Sequence, residues 1–206
     1  MKLVIATANQ GKLKEIKLLV NNSFKNSIEV LSLNNYPDLP DIIEDGKTFK
    51  ENAVKKAKIV ATATGCVALA DDSGLEVDYL KGAPGVHSAR FAGKTQNDQA
   101  NIEKLLRLME GVPMERRTAR FRCVIAIATP KEQLFTAEGT CYGFISLMPR
   151  GKKGFGYDPV FYVPRYNKTF AELDLEVKNK ISHRARALAK AIDILKEIKT
   201  KSLLYI

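Results

Sequence analysis

A short apolar run that ends in two adjacent carboxylates constrains this chain more than any other feature. Val67-Ala68-Leu69-Ala70 reads as a buried strand, and Asp71-Asp72 follow at once, before Ser73-Gly74. Aspartates almost never enter an interior unless they are paired or hold a metal. The expectation is a strand that stops at the pair and turns on Ser-Gly. That places negative charge at the mouth of a sheet, where open α/β proteins bind ligands. A turn in which one aspartate caps and the other is solvated fits the segment equally well.

The flanking pattern is α/β. Residues 2–7 predict a strand, and Asn9-Gln10-Gly11 a turn into a helix over about 12–22, with Leu13, Ile16, Leu19 and Val20 on one face. A short strand at 28–33 and a loop over 34–46 precede a helix at 48–63, opened by a capping box of Thr48 and Glu51. Leu75 to Leu80 predicts another strand, and Asn97 or Asp98 caps a helix to about Met109. The runs 119–129 and 133–144 suggest an antiparallel hairpin, 160–163 a short strand, and 183–199 a final helix buried on Leu188, Ile192, Leu195 and Ile198. Strands interleaved with helices, plus a long hairpin, predict a mixed sheet. At 206 residues the chain suits one domain, or one domain with a modest lobe.

No stretch approaches the roughly 18 apolar residues of a membrane span, and Met1 to Thr7 predicts a first strand rather than a signal peptide. Cys66, Cys123 and Cys141 match no zinc spacing and read as buried free thiols of a reducing cytosol. Lysine and arginine number 33 against 23 acidic residues, a net charge of +10. Such an excess suits nucleic acid, an acidic membrane surface or an anionic small molecule, and also arises from surface composition alone. The basic residues are scattered, without massed runs or interleaved aromatics, which argues against nucleic acid and leaves phosphorylated small molecules open.

Four further segments carry candidate chemistry. Thr7-Ala8-Asn9-Gln10-Gly11-Lys12 joins a strand to a helix N-terminus, whose amides and dipole suit phosphate. It lacks the glycine spacing of a P-loop and also serves as an ordinary turn. Glu44 precedes a capped helix, either to satisfy the dipole or to share a hard cation with Asp72, as Mg²⁺ sites do with one or two carboxylates plus substrate phosphates. Gly154-Phe155-Gly156-Tyr157-Asp158-Pro159 flanks an aromatic with glycines, which suits a stacking ligand or a tight loop with a core Phe. Ser182-His183-Arg184 sets basic residues against a helix dipole, with Lys178 and Lys180 upstream; an exposed first turn is the plain alternative.

Taken in order, these segments resemble the Ham1/RdgB family of inosine triphosphate pyrophosphatases. The resemblance runs from Leu3 to about Leu195 and rests on Thr7-x-Asn9-x-x-Lys12, Glu44-x-Gly46-x-Thr48-Phe49-x-Glu51-Asn52-Ala53, Ala70-Asp71-Asp72-Ser73-Gly74-Leu75, Gly82-Ala83-Pro84-Gly85-x-x-Ser88-Ala89-Arg90, Gly154 to Pro159 and Ser182-His183-Arg184. It implies a single domain over 1–206 with an elongated mixed sheet, helices on its faces and an active-site cleft between two lobes. It also implies a cytoplasmic homodimer that uses Mg²⁺ to hydrolyse ITP, dITP and XTP to monophosphate and pyrophosphate, with neither nucleic acid nor membrane as partner. By the family's motif, Thr7, Ala8, Asn9, Gln10, Gly11 and Lys12 hold phosphates, Glu44 and Asp72 manage metal and water, and Asp72 is the proton acceptor. Ser73, Phe155, Gly156, Tyr157, Asp158, Lys178, His183 and Arg184 contact the nucleotide. Ala8 stands where the family often has Gly or Asn, and Lys152-Lys153 where small or polar residues are commoner.

Physically, cutting between the α- and β-phosphates needs an oriented water, charge neutralisation and a stabilised leaving group. Arg184, a donor only, would accept the C6 oxygen of hypoxanthine or xanthine and reject the amino group of adenine. The rival readings are a related pyrophosphatase acting on other bases, a nucleotide binder without hydrolysis, and a nucleic-acid-binding protein.

Overall fold

The protein is described here from a computed structural model, in which residues 1–93 and 96–203 are described. In chain order the elements are β1 (Lys2–Ile5), α1 (Gln10–Phe24), β2 (Glu29–Ser32), α2 (Phe49–Thr64), β3 (Val67–Val77), α3 (Asp98–Leu108), β4 (Thr118–Ala128), β5 (Leu134–Ile145), β6 (Phe161–Val163), β7 (Lys168–Thr169), α4 (Leu175–Ile181) and α5 (His183–Leu203). The strands form one sheet in the order β2-β1-β3-β4-β5-β6-β7. β1 is parallel to both its neighbours, whereas β6 is antiparallel to β5 and β7. The fold is therefore α/β with a mixed sheet, as the alternating pattern predicts.

The expected strand end at the aspartate pair is not present. β3 runs without a break from Val67 to Val77, so Asp71 and Asp72 lie in mid-strand and Ser73-Gly74 make no turn. The predicted strand at 75–80 is the second half of β3, closed by a 3-10 turn at Asp78–Leu80. Both aspartates are buried, which removes the reading of one as solvated. β7 and α4, two and seven residues long, were not anticipated; neither is long enough to show a period. Cys123 and Cys141 are buried free thiols as expected, but Cys66 is only half-buried.

The chain divides into two compact units, and passes from one to the other within β3, between Asp72 and Ser73. The first comprises Met1–Asp72, Cys123–Gly139 and Arg184–Ile206. Its core joins Leu3 and Ile5 of β1 to Ile16 and Val20 of α1 and to Leu188, Ile192 and Leu195 of α5. The apolar faces predicted for α1 and α5 hold, with Leu13, Leu19 and Ile198 at their partly buried margins. The second unit comprises Ser73–Arg122 and Thr140–His183. Its core is more aromatic: Phe121 lies 4.6 Å from Phe161 and 5.8 Å from Phe170 by ring centroid. Among the described residues no helix is long and apolar enough to cross a membrane.

Candidate active site

In the first unit, β1 pairs with β3 so that Ile5 faces Leu69, and the Ala6 N–H still donates to the Leu69 carbonyl at 2.7 Å. The chain then leaves the sheet through Thr7 to Asn9 and enters α1. Asn9 is the N-cap: its Oδ1 accepts the Lys12 N–H at 3.0 Å, and Thr7 Oγ1 accepts the Asn9 N–H at 3.3 Å. Not every amide of this turn is open to a ligand. Two are taken by neighbouring side chains, and Gln10 and Gly11 carry the first-turn amides without a protein acceptor among the described residues. Ala8 and the Gln10 side chain are exposed at the same turn.

Strand alternation sends Asp71 and Asp72 to opposite faces, and each meets a different partner set. Asp71 is fully buried, with Lys12 Nζ at 3.1 Å and Arg184 Nε at 3.4 Å. Burial opposes its charge, but the Lys12 and Arg184 cations override it and hold the carboxyl well below its ordinary range. Arg184 is itself fixed by Glu15, Nη1 to Oε2 at 2.6 Å. Asp72 accepts a hydrogen bond from Asn52 Nδ2 at 3.0 Å, and Lys56 Nζ stands 3.9 Å from its other oxygen. Burial wins there and raises the Asp72 carboxyl, against the pull of Lys56. Lys56 also bonds Glu44 Oε1 at 2.8 Å, so one ammonium lies against both Glu44 and Asp72. Burial opposes the charge of Lys56, yet the carboxylates around it raise its pKa and keep it a cation.

In the second unit, Asp158 organises the glycine-rich loop. Its Oδ2 accepts the Phe155 N–H at 3.0 Å and pairs with Lys178 Nζ at 2.6 Å, both partners of that ion pair being buried. The Asp158 side chain folds over Gly154, whose φ of +79° and lack of a Cβ permit the contact. Asp98 accepts the Gly156 N–H at 2.7 Å, and the Tyr157 hydroxyl donates to the Ser88 carbonyl at 2.9 Å. The Lys178 ammonium sits 4.9 Å from the centroid of the half-buried Phe155 ring. Ser73 is half-buried in β3, and His183 stacks on Phe121 at 4.6 Å.

The predicted site residues therefore fall into two groups. Thr7 to Lys12, Glu44, Asp72 and Arg184 belong to the first unit; Ser73, Phe155 to Asp158, Lys178 and His183 belong to the second. His183 and Arg184 are buried, which overturns the alternative of an exposed first turn. Sequence reasoning missed Glu15, Asn52 and Lys56 as parts of the charged cluster. A signal existed for two of them: Asn52 and Lys56 share the apolar face of α2 with Ala53 and Val60, where a polar residue needs a partner.

The sequence matches the Ham1 family over residues 3–194. It is 58% identical over 198 residues to a dITP/XTP pyrophosphatase of Desulforamulus reducens, spanning 96% of this chain and 97% of that protein. A dITP/XTP pyrophosphatase of Geobacillus kaustophilus is 53% identical over 197 residues, with 96% and 95% covered. Among solved structures, the Ham1 protein of Staphylococcus aureus superposes with a TM-score of 0.85 at 41% identity, covering 96% of this chain and 99% of that one. A HAM1 protein from Coxiella burnetii gives 0.85 at 42% identity, with the same coverage.

Proposed function

Because this chain belongs to the Ham1 family, we propose that it is a nucleoside triphosphate pyrophosphatase that hydrolyses the noncanonical purine nucleotides ITP, dITP and XTP to monophosphate and pyrophosphate. The observation that carries the proposal is the buried cluster of the first unit. A helix-capping turn ending in Lys12 stands beside Asp71, and the next residue, Asp72, shares a cation with Glu44.

The residues fit a magnesium ion. Glu44 and Asp72 are hard oxygen donors already gathered about one positive charge, and Mg²⁺ needs only one or two carboxylates when substrate phosphates supply further ligands. When bound, the ion would neutralise phosphate charge and polarise the scissile linkage. Glu44 and Asp72 are the residues proposed to hold it. Asp72 orients or deprotonates the attacking water, general-base help worth roughly 10²–10⁴ in rate. Lys12 and the amides of Gln10 and Gly11 hold the phosphates of the leaving pyrophosphate.

Ser73, Phe155, Gly156, Tyr157, Asp158, Lys178 and His183 are the further residues proposed to contact the nucleotide, with Phe155 offering a ring face to the purine. Arg184, its guanidinium oriented by Asp71 and Glu15, is the proposed donor toward the C6 oxygen. Adenine presents a donor there, leaving two donors opposed. The protein is further proposed to act as a cytoplasmic homodimer.

Pyrophosphate release from ITP, XTP, ATP, GTP and dTTP, with and without Mg²⁺, tests it. Release from ITP and XTP that needs Mg²⁺ and exceeds ATP by about 10²-fold or more is expected. Equal rates on ATP, or nucleotide binding without pyrophosphate release, would refute it.

A further inference from the structure

Nothing in the proposed chemistry yet uses Asn52, although it is 1% exposed and touches both acidic segments. Its Oδ1 accepts the Gly46 N–H at 2.8 Å, and its Nδ2 donates to Asp72 Oδ2 at 3.0 Å. A carboxylate only accepts and a backbone N–H only donates, so a side chain joining the two must both donate and accept. Asparagine meets that need from this distance. Aspartate would set charge against Asp72, and leucine would leave both groups unpaired. The amide orientation follows from the same logic, since a flipped group would oppose like with like at both ends.

Gly46 gives independent support. A Cβ there would lie 2.6 Å from Asn52 Oδ1 and 2.8 Å from Glu51 Cβ. The loop therefore approaches α2 more closely than any side chain would permit, at the residue that Asn52 holds. Glu44 is two residues before this contact, and the Lys47 N–H is tied down on the other side by Glu51 Oε2 at 2.7 Å. One helical turn beyond Asn52, Lys56 reaches Glu44 and Asp72 with its ammonium. α2 thus grips the Glu44 loop and the β3 carboxylate from one face.

We infer that Asn52 is a positioning residue that clamps the Glu44 loop to Asp72, setting the separation of the two carboxylates and directing the second oxygen of Asp72 toward Lys56 and the cation site. The inference rests on Glu44 and Asp72 being the metal pair. Partners of this kind behind metal-holding carboxylates typically change metal affinity by about 10–100-fold when removed.

The test is Mn²⁺ binding without nucleotide, followed by electron paramagnetic resonance, on the wild type and on the Glu44→Gln, Asn52→Ala and Gly46→Ala variants, each verified as folded by circular dichroism. Asn52→Ala is expected to weaken Mn²⁺ by about 10-fold or more. Gly46→Ala, which pushes on the clamp from the half-exposed loop, should shift affinity in the same direction and decides the matter if Asn52→Ala does not fold. A residue that only supported the fold would lower the melting temperature and leave the affinity of the folded protein unchanged. Mn²⁺ affinity within about twofold of wild type in the folded clamp variants, with Glu44→Gln weakened, overturns the inference alone. An affinity unmoved by Glu44→Gln overturns the metal pair and the inference together.

Discussion

Replacing Asp71 by Asn tests the electrostatics of this cluster without reference to catalysis. The substitution preserves shape and removes one negative charge from a site with no solvent exposure. Lys12 at 3.1 Å and Arg184 at 3.4 Å then lose a shared anion, and Arg184, itself buried, keeps Glu15 as its acidic partner. Breaking a buried charge pair by removing one member costs about 3–5 kcal/mol. At the lower bound, and at about 2–4 °C per kcal/mol for a chain of this size, the melting temperature should fall by roughly 6–12 °C near pH 7. The pH dependence has a definite sign. The folded carboxyl is held below its unfolded value, chiefly because the Lys12 and Arg184 charges override the effect of burial. The Asp71 contribution is therefore fully present above the unfolded pKa of about 3.9 and is lost as pH falls from there toward the lower folded value. Urea or thermal unfolding of wild type and variant at about pH 7 and about pH 3 reads this directly: the gap should narrow in acid. A gap under about 2 °C at neutral pH, or one that does not change with acidification, refutes the account.

Two other substitutions probe the same cluster from different sides. Asp72→Asn should lower turnover by roughly 10²–10⁴ while leaving thermal stability of the metal-free protein unchanged or raised, since burial already disfavours that charge; near-normal turnover removes Asp72 from the base role. Arg184→Ala should erode discrimination between ITP and ATP in competition assays and also destabilise the fold by leaving Glu15 and Asp71 without their shared cation; unchanged selectivity excludes Arg184 as the reader of the C6 oxygen.

The long helices are legible because each announces itself locally, unlike the seven-residue α4. Thr48 caps α2 by accepting the Glu51 N–H, and α1 and α5 carry apolar faces at helical spacing. The continuity of β3 was not legible. A charged pair after an apolar run predicts a strand end only when no compensation arrives, and here Arg184 comes from 113 residues away in sequence. Glu15, which fixes Arg184, is 169 residues from it. No local window holds such partners. The motif residues can be named from their order along the chain, but the loss of the Asn9 and Lys12 amides to the Thr7 and Asn9 side chains is visible only in the cap geometry.

The aspartate pair owes its proposed division of labour to the two-residue period of a strand. Adjacent residues on β3 face opposite ways, so their closest cations differ: Lys12 and Arg184 contact Asp71, and Lys56 stands beside Asp72. Lys12 and Arg184 gather on Asp71 and make it a weak base that stays charged; the Asp72 environment is dominated by burial and makes that carboxylate the stronger base. Environments that push two neighbouring acids apart are how a site assigns one to hold charge and the other to take a proton. A general base gains from a pKa nearer to neutrality, and a clamp gains from one far below it. In the metal-free protein the two acids are thus set apart, and Asp71 gains a task of its own: orienting Lys12 and Arg184, which are proposed to meet the phosphates and the base.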